Sequence, residues 1–234
     1  AELTQQYDLS MFSFTPYAMF LDGEYWGNYW LNEVLDAKYF AHRYGCSESN
    51  VIVIKKGNLK AGTEKDFDDF KEMVRFISEN DMTKRENFLK ASDMIDMDNY
   101  ITYMAIEIFV ANGDWSDVKN VAMWRAREKE KDGYTDGRWR WILFDLNDHR
   151  CYSDSKRESL QIALEEDEMF RSLLQNEEFS NIFYERLQFL METVFTPEQG
   201  ARALEKYRSW MGNALSLEYR RFHDTETDFS QFDK

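Results

Sequence analysis

Asp98-Asn99-Tyr100-Ile101-Thr102-Tyr103-Met104-Ala105-Ile106-Glu107-Ile108-Phe109-Val110-Ala111-Asn112-Gly113-Asp114-Trp115 is the stretch that decides the fold. From Ile101 to Val110 apolar residues fall on every side of a helical projection, the pattern of a helix buried all round at the centre of a core. Asn112-Gly113 stops it, because both residues tolerate the left-handed backbone of a helix end. A polar loop follows, from Asp114 to Asn120. Further on, the apolar run Trp139-Arg140-Trp141-Ile142-Leu143-Phe144 reads as a strand and ends in Asp145-Leu146-Asn147-Asp148. Val121 to Arg125 and Trp139 to Phe144 flank a charged turn, Glu128 to Gly137, so a hairpin is expected to bring the loop and the acidic strand end together. An acid and an amide on one loop, facing an acid at a strand end, form a set able to grip a divalent metal and a polyphosphate.

Outward from this centre, Tyr17-Ala18-Met19-Phe20-Leu21 runs into Asp22-Gly23, a pair suited to a tight hairpin turn, and Tyr25 to Leu31 returns. The aromatic cluster Tyr25, Trp26, Tyr29 and Trp30 is expected to pack as core rather than to form an open platform. A short helix over 34–44 ends at Gly45, and Val51-Ile52-Val53-Ile54 is a compact strand closed by Lys55-Lys56-Gly57. Thr63 with Asp66 marks a helix start, and Phe67, Phe70, Met73, Val74 and Ile77 line one face of that helix. Past Ser159 the chain reads as helical over 169–175 and 179–194. A further helix is opened by Thr196-Pro197, with Thr as cap and Pro in the first turn. The fold class is therefore α+β, with small antiparallel hairpins ahead of and within a mostly helical body.

The 234 residues carry two prolines and ten glycines, which leaves little room for linkers and indicates one globular unit. No run approaches the ~18 uninterrupted apolar residues of a membrane helix, so membrane insertion is not expected. Ala1-Glu2-Leu3-Thr4 has neither a basic region nor an apolar signal core, and it does not begin with Met, which leaves any leader and the compartment open. A formal charge of −15 repels nucleic acid. Cys46 and Cys151, with His42, His149 and His223, are too scattered for a disulfide framework or a zinc site.

The hairpin Phe20-Leu21-Asp22-Gly23-Glu24-Tyr25-Trp26-Gly27-Asn28-Tyr29 with Leu31, Glu33 and Asp36 resembles a distinctive stretch of the spore coat protein CotH kinase family. Asn112-Gly113-Asp114-Trp115 through Asn120 is similar to that family's catalytic loop, and Trp139 to Asp145 to its metal-binding strand. The helical tail is similar too, through Phe170 to Leu174, Asn176, Phe179, Phe183, Arg186 and Thr196-Pro197-Glu198. The resemblance implies an atypical protein-kinase-like fold and ATP-dependent, Mg²⁺- or Mn²⁺-dependent transfer of phosphate to Ser of secreted or spore-surface proteins. It also implies a Ser-rich, basic protein substrate and a cell-surface or extracellular setting. Asp114 would orient the attacking hydroxyl and accept its proton, Asn120 and Asp145 would hold the metal, and Glu33 would lie near the nucleotide. Where the family carries a second aspartate this chain has Asn147, with Asp148 next, so either residue could serve the metal. Members also carry strands upstream of the hairpin. On that basis the chain is expected to be one domain that lacks part of its upper lobe, with 1–56 supplying that lobe's last strands and a linking helix, and 57–234 the helical lower lobe. The alternative is an inactive pseudokinase or a surface binding module on the same scaffold.

Each residue also has a plainer reading. Asn112-Gly113 is an ordinary helix stop, Asp114 a turn residue, Asn120 the opening of a strand and Glu33 a helix cap. Lys55 and Lys56 are placed to reach phosphate, but paired lysines at a strand end read more simply as solvated edge protection. Asp145 is the hardest to explain away, because a charge closing so apolar a strand needs donors or a metal.

Overall fold

The computed structural model describes residues 2–4, 6–11, 13–113, 115, 120–131, 133–146, 158–212 and 214–222. The chain divides into two compact units, one formed mainly by Leu3–Met11 and Leu35–Phe195, the other by Phe12–Val34 and Thr196–Lys234. The class is α+β.

In the first unit a four-stranded antiparallel sheet is built from β3 (Val51–Lys55), β4 (Asn58–Ala61), β5 (Ala122–Ala126) and β6 (Arg140–Trp141), in the order β4-β3-β5-β6. Val51, Ile52, Val53 and Ile54 are all buried, which explains four consecutive β-branched residues where a half-exposed strand would alternate. Lys56 and Gly57 form the turn from β3 to β4, both with positive φ, 53° and 68°, as a two-residue hairpin turn of matching twist demands.

The helices of this unit are α1 (Ala37–Tyr44), α2 (Glu64–Glu79), α3 (Arg85–Met94), α4 (Met97–Phe109), α5 (Ser159–Glu166), α6 (Glu168–Leu173) and α7 (Glu177–Phe189). Thr63 and Asp66 make the reciprocal capping box of α2, and Gly45 stops α1 at φ 69°. Tyr100, Met104, Ala105 and Ile106 of α4 are sealed from solvent, as the all-round apolar pattern requires. Helix α4 packs on α7, and α2 on α6. At its start, Asn99 accepts the N–H of Trp141 at 2.6 Å and donates to the Trp141 carbonyl at 3.2 Å, which fixes the helix to β6.

β6 is shorter than the Trp139 to Phe144 strand expected from sequence. Its flanks find other backbone partners: Trp139 bonds Met94 and Asp96, and the N–H of Leu143 donates to the carbonyl of Leu9 at 3.1 Å.

The second unit holds the hairpin β1 (Phe14–Leu21) and β2 (Glu24–Asn32), with α8 (Pro197–Met211) and α9 (Ala214–Phe222). Asp22 and Gly23 turn the hairpin with φ 50° and 84°. Its aromatic residues are not the enclosed core expected from sequence, since Trp26, Tyr29 and Trp30 are each close to half exposed. They serve instead as lateral contacts. The Tyr25 hydroxyl donates to Glu218 of α9 at 2.7 Å, Trp26 carries the Arg221 guanidinium 5.0 Å from its ring, and Trp30 meets Phe14 edge-on.

Two buried ion pairs brace the first unit. Arg140, 1% exposed, bonds Asp136, Asp96 and the carbonyls of Gly133 and Tyr134, while Arg127 grips both oxygens of Asp66. Burial opposes ionisation of Asp136 and Asp66, but the guanidinium bonds outweigh it and hold both carboxyls down at about 2. Both titrate lower in the folded chain than the ~3.9 of an unfolded Asp, so their stabilisation is complete above about pH 4 and is lost as pH falls towards 2. Urea midpoints should fall across that window and be flatter there for Asp66→Asn. Arg140→Met, which takes the buried partner from Asp136 and Asp96 and leaves them only Arg138, should cost about 3 kcal/mol at neutral pH. A loss within about 0.5 kcal/mol, the size typical of surface substitutions, would show that the network carries no stability.

Candidate functional site

Three chain segments converge where β3 ends, β5 begins and the β6 segment runs out. The N–H of Lys56 donates to the carbonyl of Val121 at 2.8 Å, and the N–H of Ile142 to that of Ala122 at 2.9 Å. Met123 pairs with Trp141 and Trp124 with Arg140, and the Ile142 bond to Ala122 carries the ladder one residue further before Leu143 turns to Leu9. The lysine turn and the acid therefore meet at one corner, with the start of β5 alongside the turn.

The end of α4 closes that corner. The Nδ2 of Asn112 donates to Oε2 of Glu107 at 2.9 Å and, at the long limit of 3.5 Å, to the backbone carbonyl of Asp145. Glu107 is fully buried and Asn112 nearly so. Asn112 Oδ1 is buried with no hydrogen-bond partner among the described residues. Of the five non-glycine residues with positive φ among those described, Lys56 (53°), Ala111 (51°) and Asp145 (59°) all belong to this corner. Each such backbone costs ~1–2 kcal/mol and persists only where its surroundings enforce it, and strain of this kind gathers at functional sites.

The charges are arranged for an anion beside a cation. Lys56 Nζ stands 3.9 Å from Asp145 Oδ2, and both side chains are partly exposed. Lys55 Nζ lies 4.5 Å from the centre of the Phe144 ring. Burial lowers the Lys55 pKa and the neighbouring Lys56 lowers it further, while Asp145 pulls it partly back. Two lysines stand around the solvent-facing carboxylate of Asp145, in a chain of charge −15. The oxygen donors, a carboxylate and amide groups, suit a hard cation such as Mg²⁺ or Mn²⁺. Among the described residues no group of three or more His, Cys, Asp or Glu could hold a metal, so a cation here would draw most of its ligands from phosphate and water.

Of the residues expected from sequence, Asp145 lies at this corner, and Asn120 is buried just ahead of β5, next in the chain to Val121, whose carbonyl accepts the Lys56 N–H. Asp114 and Asn147, with Asp148, lie outside the described residues. Glu33 belongs to the second unit, where its Oε2 accepts the N–H of Ser13 at 2.7 Å and its own N–H donates to the Ser13 carbonyl at 3.3 Å. It ties the open end of the hairpin. Asn112 and Lys56 are participants to which sequence reading gave the plainer role, a helix stop for one and, after weighing phosphate contact, edge protection for the other. The available signal was Glu107, an acid inside an apolar helix that must find a donor.

A protein-family model described as CotH kinase protein matches residues 1–233 of the chain. Neither the curated proteins nor the solved structures contain a match.

Asn112→Ala removes a donor from a buried acid and should lower stability by ~1–3 kcal/mol, whereas Lys56→Ala removes only a long, solvent-screened ion pair and should stay within about 0.5 kcal/mol. Urea unfolding of the two variants decides the point, and equal losses would mean that the amide is not the clasp of this corner.

Proposed function

The chain belongs to the CotH kinase family, and from that premise we propose that it transfers the terminal phosphoryl group of ATP to Ser hydroxyls of surface proteins, using Mg²⁺ or Mn²⁺. The observation that carries the reading is the corner itself, where Asp145, on a strained backbone, stands beside Lys56 while its carbonyl is met by Asn112.

In this proposal the carboxylate of Asp145 and the amide of Asn120 hold the cation, with Asn147 or Asp148 as the further oxygen donor. The cation supplies charge neutralisation between the phosphate oxygens when bound. Lys56 swings from Asp145 to the phosphates, which its partly exposed, flexible stem permits. Asp114 orients the Ser hydroxyl and takes its proton as the Ser oxygen bonds to phosphorus and the bridging oxygen departs with ADP. Among the described residues no helix is long and apolar enough to cross a membrane, in keeping with a protein that meets its substrates in water.

Asp145→Asn should abolish the thermal shift produced by Mg²⁺ with ATP while the protein without ligand melts at or near the wild-type temperature. Asp114→Ala should keep that shift and lose transfer of labelled phosphate to a Ser-rich basic protein by ~10²-fold or more. Lys56→Ala should weaken the response to Mg²⁺ with ATP yet strengthen that to the metal alone, because the lysine attracts phosphate and repels the cation. An undiminished shift in Asp145→Asn would remove the metal from this corner.

A further inference from the structure

Apart from the polar corner, the first unit contains a cavity of about 420 Å³, a size that suits a small organic molecule. Its walls are rings and apolar chains: Phe70 of α2, Met123 of β5, Trp141 of β6, Met169 of α6 and Trp115 of the loop after α4. One further wall residue is of another kind. Tyr103 of α4 is 1% exposed, and its hydroxyl makes no hydrogen bond of ordinary geometry among the described residues. Burial, and then the charge of Glu107, push the Tyr103 pKa well above that of an ordinary tyrosine, so the group stands as a neutral donor. A buried donor without an acceptor is costly, and a water against such apolar walls would find too few polar partners to be held firmly.

These features select the charge and the shape of an occupant. No lysine or arginine lines the cavity, and Glu166, Asp167 and Glu168 border it where α5 passes into α6, so an anion is opposed. A cation has little to gain there. Asp167 already accepts the Phe170 N–H and the Tyr100 hydroxyl, Glu168 faces Arg171 at 3.5 Å, and Glu166 is exposed to water. A plain hydrocarbon would fill the walls and leave the Tyr103 hydroxyl unpaired. An uncharged ring system bearing one carbonyl answers both, since its faces pack against the tryptophans and its oxygen accepts from the phenol.

We propose that this cavity is a binding site for an uncharged aromatic ketone, with the Tyr103 hydroxyl as its hydrogen-bond donor and Trp115 and Trp141 as its walls. None of the residues that line the cavity handles nucleotide or metal in the reading above, so the site is a second one and its occupant can be studied without ATP.

The probe is 2-acetonaphthone, compared with 2-isopropenylnaphthalene, in which a CH₂ group replaces the carbonyl oxygen in nearly the same shape. Protein labelled with ¹³C at the methionine methyls reports occupancy, because Met123 and Met169 line the cavity and the ring current of the probe shifts a methyl that it touches. The ketone should move those two signals and bind about tenfold more tightly than the hydrocarbon, the effect of one hydrogen bond to a donor otherwise unpaired. Tyr103→Phe should erase that difference while keeping the affinity for the hydrocarbon, a pattern that a loss of fold cannot produce. Ser78→Phe, which fills the cavity from α2, should abolish the shifts with either probe. 2-Naphthoate should bind about tenfold more weakly than the ketone or worse, and saturating Mg²⁺ with ATP should leave ketone binding unchanged. Absence of the shifts, or equal affinity for ketone and hydrocarbon, would overturn the site. So would tighter binding by 2-naphthoate or by 1-(2-naphthyl)ethylammonium, which would assign the cavity to a charged ligand. Displacement of the ketone by Mg²⁺ with ATP would overturn its separateness and give the cavity to the nucleotide base.

Discussion

Two asparagine side chains hold α4 to the segment that carries Asp145, and the site depends on both. Asn99 at the start of the helix bonds the N–H and carbonyl of Trp141, and Asn112 at its end reaches the carbonyl of Asp145 while donating to buried Glu107. A helix with Tyr100, Met104, Ala105 and Ile106 sealed in the core cannot shift without repacking them, so it acts as a rigid bar. Clasped at both ends, the strand segment cannot slip in register. The position of the acid is therefore fixed by buried packing, although its carboxylate is partly open to solvent.

This arrangement concentrates strain where flexibility would be harmful. Lys56, Ala111 and Asp145 each occupy a left-handed backbone that a side chain disfavours, and each is flanked by a hydrogen bond that enforces it. The Lys56 N–H is locked to Val121, and the Asp145 carbonyl is approached by Asn112. The result is a patch of two lysines and one acid held on fixed backbone, in a protein whose overall charge would otherwise repel polyphosphate.

Much of the frame is legible in the sequence because it follows from local patterns. The all-round apolar run of Ile101 to Val110 dictates a buried helix, Asp22-Gly23 a hairpin turn, and Thr63 with Asp66 a capped start. What escapes is set by partners distant in the chain. β6 is cut short because Leu9 takes the Leu143 N–H, and no pattern near Leu143 reports it. The aromatic hairpin carries the residue types of a core, but whether they become enclosed depends on what covers them, and Trp26, Tyr29 and Trp30 stay close to half exposed. In the site, Asp145 could be singled out because a charge closing an apolar strand demands an explanation. Lys56 could be weighed for phosphate but not chosen, since nothing in its identity announces a left-handed turn that carries its N–H to Val121. Asp114 and Asn147 were reached through family resemblance, and their place in the site rests on the proposed chemistry.

The central claim is that nucleotide and metal meet at the corner of Asp145, Lys56 and Asn112. The most direct measurement is paramagnetic broadening of backbone amide signals by Mn²⁺ in the presence of a non-hydrolysable ATP analogue. The account predicts loss of signal centred on Lys56, Asn112, Val121 and Asp145, reversed by excess Mg²⁺, with the amides of Glu166 and Glu168 spared. Broadening centred on the glutamates, or none that depends on the nucleotide, would contradict it.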